Sequence, residues 1–197
     1  MASVAGDFYD FAAAGENRIG ILVADGAGHG VPAALIASMV KVAFASQSEH
    51  AGDPSRVLSG LNRILCEQRT SQFVTAGYLV VDFENKSAVY AGAGHPPLRV
   101  FRRADGRVCR FQNNGLFLSF RPEANYPNVE MPIAGGDRLL LYTDGLFEAV
   151  NERDEAAPEF ADALLEDVSA WSGRKGGNRQ DDDLTLLVVD MDIAIPG

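Results

Sequence analysis

The stretch from Ile19 to Pro32, IGILVADGAGHGVP, limits what this chain can fold into more than any other. An apolar run, Ile19 to Ala24, stops abruptly on Asp25. Gly26, Gly28 and Gly30 follow within five residues, and Pro32 opens the run Ala33-Ala34-Leu35-Ile36-Ala37-Ser38-Met39-Val40. The pattern predicts a buried strand, a tight acidic loop and a helix start. Proline suits the first helical turn because its missing N–H would be unpaired there anyway. Glycines let the loop backbone take positive φ and approach a ligand closely. A carboxylate at a strand end, beside exposed backbone carbonyls, is a good place for a hard cation. A lone Asp-Gly is also an ordinary turn, so the reading depends on the other acidic strand ends.

The chain is long enough, at 197 residues, to bury a sizeable core, and a single domain over 1–197 is expected. Its net charge of −10 argues against nucleic acid or an anionic membrane as the main partner. No apolar run approaches the ~20 residues that span a bilayer, and the start, Met1 to Asp7, has no basic segment of a signal peptide. A cytoplasmic protein without membrane insertion is therefore expected. Cys66 and Cys109 lack metal-type spacing and read as reduced thiols.

Taken in order, Asp7 to Phe11 should pair with Ile19–Ala24 as a hairpin. Because the chain begins almost on a strand, a further core strand or a sensor region upstream of Met1 in a longer parent is expected. Val31 to Ser48 carries Leu35, Ile36, Met39, Val40, Ala43 and Phe44 at helical spacing. After the break at Gly52-Asp53-Pro54, Asp53 or Ser55 can cap a second helix, over Ser55–Arg69, with Val57, Leu58, Leu61, Ile64 and Leu65 on one face. Strands follow at Phe73–Asp82, Ala88–Ala91, Leu98–Arg102, Arg107–Phe111, Leu116–Phe120, Asn128–Pro132 and Asp137–Tyr142. A helical turn at Leu146–Val150, an amphipathic helix at Glu159–Trp171, a glycine-rich basic loop at Gly173–Asn178 and a last buried strand at Leu184–Val189 complete the chain. Many hairpins and little strand–helix alternation argue for an α+β chain of two stacked, mainly antiparallel sheets with helices outside.

Four acidic residues, Asp7, Asp25, Asp144 and Asp182, stand at element ends, three of them beside long apolar strands. Sheet packing can gather such ends at one rim. Carboxylates a few ångströms apart repel, so some take up protons or a cation neutralises them. Oxygen-only ligands favour manganese or magnesium. Two such ions sharing a carboxylate can bind a phosphoryl group and activate a water.

The motifs GDFYD, ADGAGHGVPAAL, AGAGHPPL, GDRLLLYTDGLFEAVN and DDDLTLLVV occur in this order. Together they resemble the bacterial SpoIIE-like serine phosphatases, a branch of the metal-dependent PPM (type 2C) protein phosphatases. The resemblance runs from Gly6 to Asp190. It implies a four-layer α-β-β-α sandwich with two manganese or magnesium ions at one rim of the sheets. Asp25 resembles the carboxylate that bridges the two metals, and the Gly26 carbonyl resembles a backbone ligand of the second. Asp144 and Asp182 resemble ligands of the first metal, and Asp7 the acidic residue near the second. Asp183 matches less well than Asp182, because the family's ligand is the first Asp of Asp-Asp-x-Thr, and Asp181 precedes that pattern. Asp10 fits GDFYD and is expected only to hydrogen-bond its neighbours. His95, in GAGHPPL, is expected to order its loop, and His50 to lie on the surface.

The departures matter as much. Where the eukaryotic branch has a histidine directly after Asp-Gly, this chain has Ala27, and His29 lies two residues on. Arg18 is the only lysine or arginine before Lys41, so the phosphate-binding arginine of that branch has no evident counterpart. The general acid is then His29 or a metal-bound water, with the water preferred. The resemblance implies hydrolysis of phosphoserine or phosphothreonine, by in-line attack of a metal-bridging hydroxide. It also implies a protein substrate, typically a phosphorylated STAS-type anti-sigma-factor antagonist or a stressosome component. Two rivals are a catalytically silent pseudophosphatase that only docks such a protein, and a small-molecule phosphohydrolase.

Overall fold

A computed structural model describes residues 6–28, 30–68, 72–112, 114–145 and 185–191. The first hairpin is β1 (Asp7–Ala13) with β2 (Arg18–Gly26), turning through 14–17. Helix α1 (Val31–Ala45) and helix α2 (Pro54–Glu67) follow, with a short 3-10 turn at Ser48–His50 between them. The strands after them are β3 (Val74–Asp82), β4 (Ser87–Ala93), β5 (Leu98–Arg102), β6 (Arg107–Phe111), β7 (Asn114–Gly115), β8 (Val129–Pro132), β9 (Arg138–Tyr142) and β10 (Leu186–Asp190). One sheet runs β1-β2-β3-β4-β7, with β8 also on β4; the other runs β10-β9-β5-β6.

The central strands explain the layering. On β2, Leu22 and Ala24 join Phe44, Leu58, Leu61 and Tyr78 in a core between the sheet and the two helices. Ile21 and Val23, on the other face, join Leu79, Leu98, Val100, Leu139 and Leu141 in a core between the sheets. A strand buried on both faces reads as a continuous apolar run rather than an alternation, which is why Ile19–Ala24 looks as it does. The layering is that of the α+β sandwich which the resemblance implies. Three of its layers, helices, sheet and sheet, lie within the described residues. The expected helix at Glu159–Trp171 lies outside them, as do the turn at Leu146–Val150 and the loop at Gly173–Asn178.

Local chemistry sets the helix starts. Pro32 sits in the first turn of α1, and Asp53 caps α2, accepting from the Arg56 amide at 3.4 Å. Three expectations need correction. Leu116–Phe120 is not a strand: 114–115 pairs briefly and in parallel with β4, and Leu118 makes a single bridge to Val74. Leu35 is 61% exposed rather than part of the α1 stripe, because α1 is apolar on nearly all sides and only one of them meets the sheet. Gly26 ends β2 in extended backbone; the positive-φ glycines of the loop are Gly28 and Gly30. Among the described residues no helix is long and apolar enough to cross a membrane. Cys66 and Cys109 are free thiols.

The register of β2 on β3 is pinned at the end away from Asp25. Arg18 lies opposite Asp82 and donates to its carboxylate at 2.7 Å. The Asn85 amide and side chain also donate to Asp82. These bonds, Asn85 first and Arg18 after, hold the Asp82 carboxyl at about 2, well below its ordinary 3.8. A folded-state value below the unfolded one gives stability that is complete above pH 3.8 and lost as pH falls towards 2. Asp82→Asn should therefore lower the thermal midpoint at neutral pH and flatten its dependence on pH below about 4. Melting curves of both proteins between pH 2 and 7 check this; parallel curves would remove Asp82 from the account.

Candidate metal and phosphoryl site

Strand pairing sets the geometry of the rim. The β1–β2 register places Asp7 directly opposite Asp25. Directly opposed residues share a face, with Cβ atoms about 5 Å apart, and like charges so placed repel. The Gly26 amide donates to the Gly6 carbonyl at 3.3 Å. Position 6 admits no side chain, since a Cβ there would lie 2.7 Å from the Gly26 carbonyl oxygen. Two carboxylates and a backbone carbonyl thus gather where β1 begins and β2 ends. All are oxygen donors, and the opposed charges are of the kind a hard cation relieves, so the donor set fits manganese or magnesium.

The second sheet reaches the same rim through Thr143, which is fully buried just past the end of β9. Its hydroxyl donates to Asp7 Oδ2 at 2.8 Å and accepts from the Thr185 amide at 2.9 Å, and its own amide donates to the Thr185 carbonyl at 3.0 Å. Asp144 follows Thr143, so the end of β9 that carries it is tied to Asp7. Thr185 leads directly into β10, so the approach to that strand is drawn to the same point. Asp182, Asp183 and Asp181 lie outside the described residues, as does His29. Among the described residues no three acidic, histidine or cysteine side chains converge as a complete metal cage.

A further link joins the sheets through His95. The Thr75 hydroxyl and His95 Nδ1 are hydrogen-bonded at 3.0 Å, and Thr75 faces Asp25 in the β2–β3 register. The backbone of Tyr142, the residue before Thr143, lies close enough to the ring to act on its titration. Burial lowers the imidazole to about 3, against the smaller opposing effect of that backbone. The ring is therefore neutral across the physiological range and spans the gap between the two strand ends. Gly77 makes room for it, since a Cβ there would come within 2.9 Å of His95 Cδ2.

Other candidates lie elsewhere. Asp10 is on the opposite face of β1 from Asp7 and accepts from the Phe11 amide at 2.8 Å. Arg18 is seven residues along β2 from Asp25, roughly 23 Å at strand rise, and is held there by Asp82. It cannot reach a phosphate at the rim. His50 is exposed in the turn between the helices. Thr143, Thr75 and Gly77 carry the site's support and escape a reading of the sequence. Each looks there like an ordinary β-branched or small strand residue.

Comparison with known proteins completes the assignment. The family model described as Stage II sporulation protein E (SpoIIE) matches residues 15–192. The chain belongs to the SpoIIE family. Among curated relatives of this SpoIIE-family chain is "Phosphoserine phosphatase RsbU" of Bacillus subtilis (strain 168), 34% identical over 76% of the chain. That match takes up 44% of RsbU, so the chain spans less than half the length of that relative. Among solved structures, the SiaA-PP2C domain of Pseudomonas aeruginosa superposes with a TM-score of 0.80 at 25% identity, covering 95% of this chain and 81% of that one. RsbX in complex with magnesium superposes with a TM-score of 0.64 at 20% identity, covering 94% and 87%.

Within this SpoIIE-family fold the neutral His95 has a thermodynamic signature. On unfolding the ring returns to its ordinary 6.5, so between 6.5 and about 3 the unfolded chain binds a proton that the folded chain refuses. Stability is complete above that window and falls as the pH drops through it. Wild-type melting temperature should decline from pH 6.5 downward, before most carboxylates titrate. His95→Gln should be less stable at pH 7 and show a flatter profile between 6.5 and 4.5. A variant that keeps the wild-type slope would show that the slope has another source.

Proposed function

We propose that this chain is a metal-dependent protein phosphatase that removes phosphate from phosphoserine or phosphothreonine of a regulatory protein. The observation that carries the reading is Asp7 facing Asp25 at the mouth of the β1–β2 hairpin, with Thr143 joining that pair to the strand end that bears Asp144. Membership of the SpoIIE family and the name of RsbU support it, and the magnesium named for RsbX supports a hard cation.

In this reading Asp7, Asp25, the Gly26 carbonyl, Asp144 and Asp182 hold two divalent ions. Manganese or magnesium bound there would neutralise phosphoryl oxygens and lower the pKa of a water. The chain's own contribution is position. Thr143 orients the Asp7 carboxylate by donating to one of its oxygens. Thr75 and His95 hold the strand ends at a set distance while carrying no charge. Ala27 has no proton to give, and His95 is neutral and buried, so neither serves as the general acid. The bond to phosphorus forms from water oxygen as the seryl oxygen departs with a proton. A phosphorylated STAS-type regulator is the proposed substrate, and the cytoplasm the proposed compartment.

Hydrolysis of p-nitrophenyl phosphate should disappear with a chelator and return with manganese. Full turnover in a sample shown by elemental analysis to be metal-free would end the metal-dependent reading. Asp25→Asn should be folded but near background, and Asp182→Asn should lose more activity than Asp183→Asn. The reverse order would move the ligand by one residue.

His29→Ala should cost less than about tenfold in kcat on a phosphopeptide, below the ~10²–10⁴-fold range of a general acid. A loss above about a hundredfold with metal binding intact, seen on the phosphopeptide and absent on p-nitrophenyl phosphate, would make His29 the proton donor. A phosphoserine peptide that is turned over faster than nucleotides separates the protein phosphatase from a small-molecule phosphohydrolase. Metal binding without turnover of either would mark a docking module.

A further inference from the structure

Beside the acidic rim lies a set of aromatic side chains that the fold displays rather than buries. Phe73 and Phe117 meet as tilted rings with centroids 4.7 Å apart, and Phe117 and Phe120 likewise at 5.0 Å. Phe73 is 46% exposed, Phe120 54%, and the neighbouring Leu116 44%. The Arg121 guanidinium sits 5.7 Å over the Phe120 ring. Scattered apolar residues on a surface are ordinary, but contiguous exposed rings mark interaction sites.

The display is rigid. Leu118 is fully buried, and it exchanges hydrogen bonds with Val74, 2.8 Å from the Leu118 amide and 3.4 Å from the Val74 amide. Ser119 then takes φ 72°, a left-handed conformation uncommon for a side chain of its kind. Asn62 of α2, itself fully buried, accepts from the Ser119 amide at 3.0 Å and donates to the Arg121 carbonyl at 2.6 Å. A buried amide thus holds the bend that leaves Phe120 exposed, with Phe117 half-buried between it and Phe73.

The shelf joins the rim directly. The Ala27 amide, next after Gly26, donates to the Phe73 carbonyl at 3.0 Å, and Gln72 Nε2 donates to the Ala27 carbonyl at 3.1 Å. Val74, next to Phe73, is the ladder partner of Gly26. A phosphoserine side chain is short, so any polypeptide that presents one to Asp25 must lie against the surface bordering this loop. The shelf offers such a chain apolar contact, and Arg121 offers a positive charge in a molecule of net −10, complementary to a phosphorylated and hence anionic segment.

We propose that Phe73, Leu116, Phe117, Phe120 and Arg121 form a docking shelf for the substrate polypeptide, selecting apolar side chains next to its phosphoserine. The proposal rests on the phosphatase reading for its occupant, and its test keeps the two apart. Two fluorescein-labelled phosphoserine peptides of equal length and charge serve as probes. One carries leucine on either side of the phosphoserine, the other serine.

Their kcat/KM with manganese and their Kd by anisotropy in chelator are compared as ratios, which a uniform loss of activity leaves unchanged. Wild-type protein should favour the leucine peptide by about tenfold on both measures, as expected for partial burial of a leucine side chain. In the Phe117→Ser/Phe120→Ser double variant the ratio should fall close to one. Phe120→Ser alone, at the most exposed ring, should lower it part-way if the double variant is unfolded by melting analysis. A wild-type ratio near one, or a tenfold ratio that survives in a folded variant, overturns the shelf. So does a wild-type dimer in light scattering that becomes monomeric in the variant while the peptide ratio is near one, because the face then holds a second copy. Preferential binding of the leucine peptide with no phosphate release would leave the shelf standing and remove the hydrolytic reading instead.

Discussion

Everything at the rim depends on the register of β2. That strand is buried on both faces, so sliding it by one residue would turn Leu22 and Ala24 towards the second sheet and Asp25 towards the helices. Two cores resist the slip, and the Arg18–Asp82 pair, together with the Asn85 turn, closes it at the far end. Asp25 then emerges at the one place where Asp7 faces it and Thr75 lies on its other side. The charge repulsion this creates is held in place by apolar packing on both sides.

The sheets are joined at the rim by uncharged links. Thr143 reaches from one sheet to Asp7 in the other, and His95, bonded to Thr75, lies beside the Tyr142 backbone. A lysine or arginine at either place would pair with the carboxylates and compete with any cation. A threonine hydroxyl and a neutral imidazole give direction without adding charge. Depression of the His95 ring by burial is what keeps the second link silent over the working range of pH.

Much of this was legible in the residues. The break from Ala24 to Asp25, the glycine loop and Pro32 mark a strand, a turn and a helix start because each residue type has a narrow backbone preference. The hairpin at Leu98–Phe111 follows from alternation around Asp105-Gly106. Other features were not legible, for physical reasons. Leu116–Phe120 has strand-like composition, but Asn62, far away in sequence, draws its backbone into a bend. Leu35 fits the helical stripe, but a helix apolar on nearly all sides does not reveal which side meets the sheet. Thr143 and Gly77 act through what they allow a neighbour to do, and neither leaves a mark in composition or period.

The first strand has an unequal place in this arrangement. Among the described residues β1 is the outermost strand of its sheet and pairs only with β2, and Tyr9 and Phe11, on the same face as Asp7, remain largely exposed. Among the described strands Asp25 has a neighbour on either side, whereas Asp7 has one ladder and is also tied to the second sheet by the Thr143 hydroxyl. Fraying would therefore begin there, and hydrogen exchange should be fastest in β1, slow in β2 and slowest in β3. Loss of the β1–β2 pairing would take Asp7 from the rim and leave Asp25 in place.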